Sequence, residues 1–265
     1  MHDVLAALTL RIARPLIWHD RTAPLPKAIF GGTCFFLRFE SGIVGVTANH
    51  VLEVYEKIRS ESTSIACQLR TIPFDPIAAL IDRDAERDIA TFRASEGLLA
   101  RIEAIALDCR MDWPPPEPDV MRGISLCGFP ENMRTSSKDG TAEFGAWGAL
   151  AAVEDLTERE ILVTYDPERD TASRWAPTLP PLGLNLSGCS GGPVIMHGER
   201  NGLHRWFPVG IVIAGPRDSG SGASAQFDMV RVRRIHVVQP DGSIQKDDDG
   251  WLPRVGSQHP IGKLA

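Results

Sequence analysis

No CxxC pair occurs anywhere in the 265 residues, and the five cysteines, Cys34, Cys67, Cys109, Cys127 and Cys189, are odd in number. Such a set suggests neither a zinc site nor a complete disulfide framework, and reduced thiols predict a cytoplasmic protein. No apolar run approaches the ~18 residues that a membrane span needs. The longest early apolar stretch, Val4 to Leu8, is too short for a signal-peptide core and is followed by Arg11 and Arg14. A basic stripe is missing too. The formal charge is −6, with acidic residues spread through the chain, which argues against nucleic acid as the main partner. The densest basic run, Arg231 to Arg234, is interrupted by Val232 and reads as the solvated face of a strand or helix. The expectation is a soluble chain with no cofactor, no metal, and neither nucleic acid nor membrane as partner.

Long helical periodicity is nearly absent, and no internal repeat stands out. Twenty prolines and twenty-four glycines instead punctuate short apolar runs. Strands are predicted at Leu8 to Ile12, Cys34 to Phe39, Ile43 to Thr47, Ile65 to Thr71, Ile77 to Ile81 and Ile89 to Phe92. A second series follows at Gly123 to Gly128, Ala146 to Val153, Ile161 to Tyr165, Pro193 to Met196, Trp206 to Ile213 and Gln226 to Val232. Alternating or β-branched runs at this spacing predict an all-β barrel or sandwich. One short helix is predicted at Val51 to Ile58, where Val51, Leu52, Val54, Tyr55 and Ile58 share a face.

Between the two series lies Trp113-Pro114-Pro115-Pro116-Glu117-Pro118, a run that a sheet cannot hold because each proline lacks the ladder N–H. The division predicted is a first barrel over residues 1–112, a connector over 113–119, a second barrel over 120–238 and a polar tail over 239–265.

Chemistry concentrates in Asn185-Leu186-Ser187-Gly188-Cys189-Ser190-Gly191-Gly192-Pro193-Val194. A nucleophilic serine needs a tight exposed turn, with backbone N–H groups aimed at the oxygen that becomes negative. Glycines permit such a turn and a close substrate approach. A serine also needs a base, and the base an orienter. His50 lies where the apolar run Ile43 to Thr47 gives way to the short helix, and Asp88 stands at the mouth of the run from Ile89 to Phe92. Taken singly, a Gly-rich loop, a structural histidine and a strand-capping aspartate are each ordinary. Their joint occurrence in the order His, Asp, Ser is not.

Thr47-Ala48-Asn49-His50, Asp88-Ile89-Ala90 and Gly188-Cys189-Ser190-Gly191-Gly192-Pro193 resemble the three signatures of trypsin-like serine peptidases of the chymotrypsin fold. Separations of 38 residues from His50 to Asp88 and 102 from Asp88 to Ser190 fit as well. Gly31-Gly32-Thr33-Cys34, Leu126-Cys127-Gly128-Phe129-Pro130 and Val209 to Gly215 resemble supporting strands of the same family, so the likeness spans residues 28–235. The chain lacks the family's zymogen start, and Cys189 takes the place of the aspartate before the serine. No PDZ module follows. It therefore resembles bacterial and intracellular members.

The resemblance implies two packed six-stranded antiparallel β-barrels and a His50-Asp88-Ser190 triad. It also implies an oxyanion hole from the backbone N–H groups of Gly188 and Ser190, and a substrate pocket of Leu184, Ile213, Ala214 and Gly215. With Leu184 at its base, an uncharged, small-to-medium apolar residue is expected before the scissile bond. The expected partners are a polypeptide substrate and an activating or sensor protein. Met133 to Phe144 and Asp166 to Pro181 are the candidate gate loops, and Cys189 reads as a small apolar filler. The alternative is a catalytically silent pseudoprotease acting as a binding module. An esterase with the order Ser, acid, His is a poor fit, because Gly191-Gly192-Pro193 stops the helix that such an elbow requires.

Overall fold

The structure is a computed structural model that describes residues 11–25, 27–138, 141–165, 185–200, 202–215 and 228–246. Its first half contains β1 (Arg14–Asp20), β2 (Ile29–Phe39), β3 (Gly42–Thr47), helix α1 (Asn49–Glu61), β4 (Ile65–Leu69), β5 (Ile72–Pro73), β6 (Leu80–Asp84), β7 (Ile89–Ala94), helix α2 (Glu96–Ile102) and β8 (Leu107–Asp108). The second half holds β9 (Gly123–Gly128), β10 (Arg134–Ser136), β11 (Ala142–Phe144), β12 (Trp147–Leu156), β13 (Glu160–Tyr165), β14 (Pro193–Arg200), β15 (Leu203–Ala214) and β16 (Asp228–Arg234). The chain is all-β, with a chymotrypsin-like arrangement of two strand systems.

The halves close differently. In the second, six strands form a complete ring in the order β12-β13-β16-β15-β14-β9, which removes every free edge. In the first, the hydrogen bonds run as a path, β5-β4-β1-β2-β3-β7-β6, with β8 alongside β2. Six of these eight strands are substantial; β5 and β8 are two-residue pieces. Helix α1 links the two ends of the path, for Arg59 pairs with Asp75 at 2.7 Å and Glu56 with Arg83.

Aromatics fill the first core. Phe36 and Phe92 meet edge-to-face with centroids 6.2 Å apart, and a Cβ at position 45 would run into the Phe92 ring, which accounts for Gly45 in mid-strand. Burying a phenylalanine stabilises by roughly 1.5–3 kcal/mol, so these rings anchor the sheet. Helix α1 buries Val51, Leu52 and Tyr55, with Tyr55 5.5 Å from Trp18 of β1. Ile195, Ile211, Ile235 and Val237 from the second half belong to this first core. The two halves are thereby joined by shared apolar burial.

Several expectations shift. Arg11 and Ile12 are helical rather than the end of a strand, and the first strand among the described residues is β1. It is buried on both faces over Arg14 to Trp18, so it shows no alternation. The proline connector is packed: Pro115, Pro116 and Pro118 are buried, Trp113 stacks edge-on against Phe39 at 5.1 Å, and its Nε1 donates to the Val238 carbonyl at 2.8 Å. The polar segment from Gln239 starts as an anchored loop. Ile244 N–H and Lys246 Nζ both reach the Asp82 carboxylate, at 2.9 and 2.8 Å. The rest of that segment lies outside the described residues. Most unlike the sequence reading, Arg233 and Arg234 are buried.

Candidate active site

Strands β3 and β7 are antiparallel partners with Thr47 opposite Ala90. The end of one and the start of the other therefore lie side by side, and His50, three residues past Thr47, meets Asp88, two residues before Ala90. His50 is the second residue of α1. Asp88 ends a turn with φ +54°, held by Asp84, whose carboxylate accepts the Arg87 N–H at 2.8 Å and pairs with the Arg87 guanidinium at 3.0 Å.

The result is a two-point grip. Asp88 Oδ1 accepts the His50 backbone N–H at 2.9 Å, and Oδ2 lies 2.8 Å from His50 Nδ1. With Nδ1–H donating to the carboxylate, Nε2 is left as the acceptor. The His50 side chain is 41% exposed and that of Asp88 19%: the imidazole faces solvent and the carboxylate is largely covered.

Ser190 comes from the other half, on a loop fixed by main-chain contacts. Cys189 N–H donates to the Leu186 carbonyl at 2.9 Å, Gly192 N–H to the Cys189 carbonyl at 2.8 Å, and Gly191 N–H to Val212 at 2.8 Å. Thr33 of β2 fastens this loop to the first half. Its N–H donates to the Ser190 carbonyl at 2.9 Å and its hydroxyl donates to the Gly188 carbonyl at 2.7 Å. The same hydroxyl accepts from Phe129 N–H at 3.1 Å.

Gly191 has φ +85°, and a Cβ there would collide with the Thr33 carbonyl and the Thr47 hydroxyl and approach Ala48 N at 2.9 Å. That contact sets the serine loop against the corner that leads into His50. Only glycine fits.

Among the described residues, no hydrogen bond joins Ser190 Oγ to His50, and neither Gly188 N–H nor Ser190 N–H donates to a protein acceptor. Two amides in one loop, flanking Cys189 and without an internal partner, can receive an oxygen that gains negative charge. Ile213 and Ala214 end β15 and Gly215 follows it, all three half-buried, and Leu186 packs on Gly215, where an added Cβ would lie 2.7 Å from its Cδ1. The fourth expected pocket residue, Leu184, lies outside the described residues, as does the segment Asp166 to Pro181. The other candidate gate, Met133 to Phe144, contains the β10–β11 hairpin with Arg134 opposite Phe144. Its base holds the serine loop, since Glu131 N–H donates to the Ser187 carbonyl at 2.8 Å.

All five cysteines are free and buried. Burial pushes the Cys189 thiol well above its ordinary value, and Cys67 up to about 12. The Cys189 sulfur fills space beside Gly128, as an apolar filler would. Among the described residues no three His, Cys, Asp or Glu side chains gather as a metal would require.

Strand count and ring closure define an all-β, chymotrypsin-like architecture, with the His50–Asp88 pair in its first half and the Ser190 loop in its second. No family model matches the sequence, and no curated protein does. Among solved structures, the chain is similar to the inactive form of a serine-to-alanine mutant of Rv3671c from M. tuberculosis H37Rv. That match has 15% identity over 88% of this chain and 84% of that one, with a TM-score of 0.41. A likeness of that size adds nothing to what the strands and side chains themselves show.

Proposed function

We propose that the chain is a serine endopeptidase using His50, Asp88 and Ser190. The observation that carries this reading is the pair of hydrogen bonds that one carboxylate accepts from His50, at 2.8 and 2.9 Å, beside a serine loop with two undonated amides. Asp88 holds the imidazole with Nε2 toward solvent. His50 takes the Ser190 proton as Oγ attacks a peptide carbonyl, and Gly188 and Ser190 N–H stabilise the oxyanion. The histidinium then protonates the leaving amine, and water repeats the cycle on the acyl-enzyme. Each oxyanion contact is worth about 3 kcal/mol in the transition state.

The pocket walls of Ile213, Ala214 and Gly215 favour a small-to-medium apolar residue before the cleaved bond. A cleavage profile dominated by Arg or Lys would overturn that part. A cytoplasmic setting goes with the free thiols, and gating by a partner or by the Met133–Phe144 segment goes with the absence of a Ser190–His50 hydrogen bond among the described residues. That same absence favours the second reading, a pseudoprotease that binds without cutting.

The test is labelling of the purified chain with a fluorophosphonate probe, wild type beside Ser190→Ala and His50→Ala. Labelling of wild type alone is expected. Equal labelling of wild type and Ser190→Ala would refute the nucleophile assignment, and no labelling of the folded wild type would favour the binding module.

A further inference from the structure

Gly188 N–H and Ser190 N–H owe their orientation to the peptide units around them. In a trans peptide the carbonyl and the N–H point in opposite directions, so whatever holds the carbonyl also aims the N–H of the same unit. The Ser187 carbonyl accepts from Glu131 N–H at 2.8 Å, which turns Gly188 N–H away from Glu131. The Cys189 carbonyl accepts from Gly192 N–H at 2.8 Å, which turns Ser190 N–H away from Gly192. The next carbonyl after each of these two amides is held by one residue of the first half. Thr33 donates its hydroxyl to the Gly188 carbonyl at 2.7 Å and its N–H to the Ser190 carbonyl at 2.9 Å.

Thr33 is itself fixed. It is fully buried, and its carbonyl accepts the Thr47 hydroxyl at 2.8 Å. Its hydroxyl has a set direction too, because the oxygen accepts Phe129 N–H at 3.1 Å while the O–H goes to Gly188.

Gly188 needs such a tether. It has φ +93°, and an added Cβ would lie 2.5 Å from the Phe129 carbonyl. No side chain restrains it there, and glycine has the widest backbone freedom of any residue. Without the Thr33 hydroxyl, the unit that follows Gly188 is free to swing and to carry the neighbouring N–H groups with it.

We infer that Thr33 is a positioning residue of the oxyanion hole, an inference that rests on the serine-peptidase reading. From the half that carries His50 and Asp88, it holds the Ser190 loop of the other half so that both amides stay aimed at the oxyanion. Thr33 touches no reacting atom; it acts through the Gly188 and Ser190 carbonyls. The hole is complete only where the two halves meet. Loss of the hydroxyl therefore weakens binding of the transition state and leaves binding of the ground state alone.

The test compares Thr33→Val, which keeps the shape and removes the hydroxyl, with Thr33→Ser, which keeps the hydroxyl. One readout is the concentration dependence of fluorophosphonate labelling. The other is the amide NMR resonances of Gly188 and Ser190, which need no chemistry. In Thr33→Val the maximal labelling rate falls about tenfold, short of the roughly 100-fold that deleting a donor outright costs. The half-saturating concentration stays the same, and both resonances move. Thr33→Ser restores rate and resonances. A folded Val variant whose maximal rate stays within about twofold of wild type overturns the inference. A loss that Thr33→Ser fails to restore also overturns it, since the effect then belongs to packing of the methyl group. Thr33→Cys, whose thiol is a weak donor, replaces the Val variant if that one does not fold, with the same expected direction. If the folded wild type never labels, the peptidase reading fails by itself, and the resonances decide on Thr33. Shifts in Thr33→Val that Thr33→Ser reverses sustain its hold on the two amides, and unmoved resonances overturn it.

Discussion

The His50–Asp88 side and the Ser190 side of the proposed site are built by different means. His50 and Asp88 are held by side-chain hydrogen bonds within one half, across neighbouring strands. The Ser190 loop is held by its backbone, with Thr33 on the Ser190 carbonyl and Val212 on Gly191 and Gly192, and the Ser190 hydroxyl makes no bond to His50 among the described residues. The difference teaches where control can enter. On the proposed reading, a base fixed inside one core is preorganised, while a nucleophile fixed by loop amides depends on how the two halves meet. Thr33 is the joint: one residue of the first half holds both the Ser190 and the Gly188 carbonyls.

The most severe way to break this comparison is at the base. Asp88→Asn should preserve the fold and cut the labelling rate by about 10,000-fold, because the amide favours the wrong histidine tautomer; a loss under tenfold would mean that Asp88 does not orient His50. On the nucleophile side, Gly191→Ala should cost about 3 kcal/mol or more in urea unfolding. It combines a left-handed φ of +85° with a collision against Thr33. A variant of wild-type stability would show that the loop is not wedged as described.

Thr33→Val should be milder. It removes the hydroxyl that serves Gly188 and Phe129, destabilising by about 1–3 kcal/mol, and should slow labelling while leaving the His50 ring titration in place. If that titration moves as well, the two sides are not separately built.

The smallest effect sharpens the contrast at the level of whole halves. In the second barrel the Ser125 hydroxyl and His197 Nε2 lie 2.8 Å apart. Burial first, and then the Arg122 charge, push His197 down to about 4. A histidine so depressed stabilises the fold above its ordinary value near 6.5, and that contribution is lost as pH falls toward 4. After allowance for the ring's partial exposure the loss is about 1–2 kcal/mol. Urea unfolding at pH 7 and pH 4.5, wild type against His197→Gln, measures it; an equal loss in both proteins would exclude His197 as the source.

Much of the strand pattern was legible in the residues themselves. The run Gly123 to Gly128 is β9 as expected, and Ile43 to Thr47 and Ile89 to Phe92 fall within β3 and β7. One face of each is apolar or the whole run is buried, and turn residues bound it. The misses share a cause. Strand β1, with Arg14, Pro15, His19 and Asp20, has no apolar alternation because neighbouring elements cover both of its faces. Arg233 and Arg234 look like solvated charges in the sequence, yet Glu160 and Glu117 meet them in the interior. The carboxylates come from positions distant in the chain. Which arginine is buried is therefore a property of the packing.

By itself the sequence determined which chemistry is on offer: a histidine after one strand, an aspartate before another, and a serine among glycines, in that order. Those are local facts, set by side-chain type and by the backbone freedom of glycine. The tertiary structure decided that Asp88 reaches His50, that Thr33 grips the serine loop and that Arg233 is buried beside Glu160. Strand register, ring closure and the burial of charge depend on contacts between segments far apart in the chain, and only packing can bring those together.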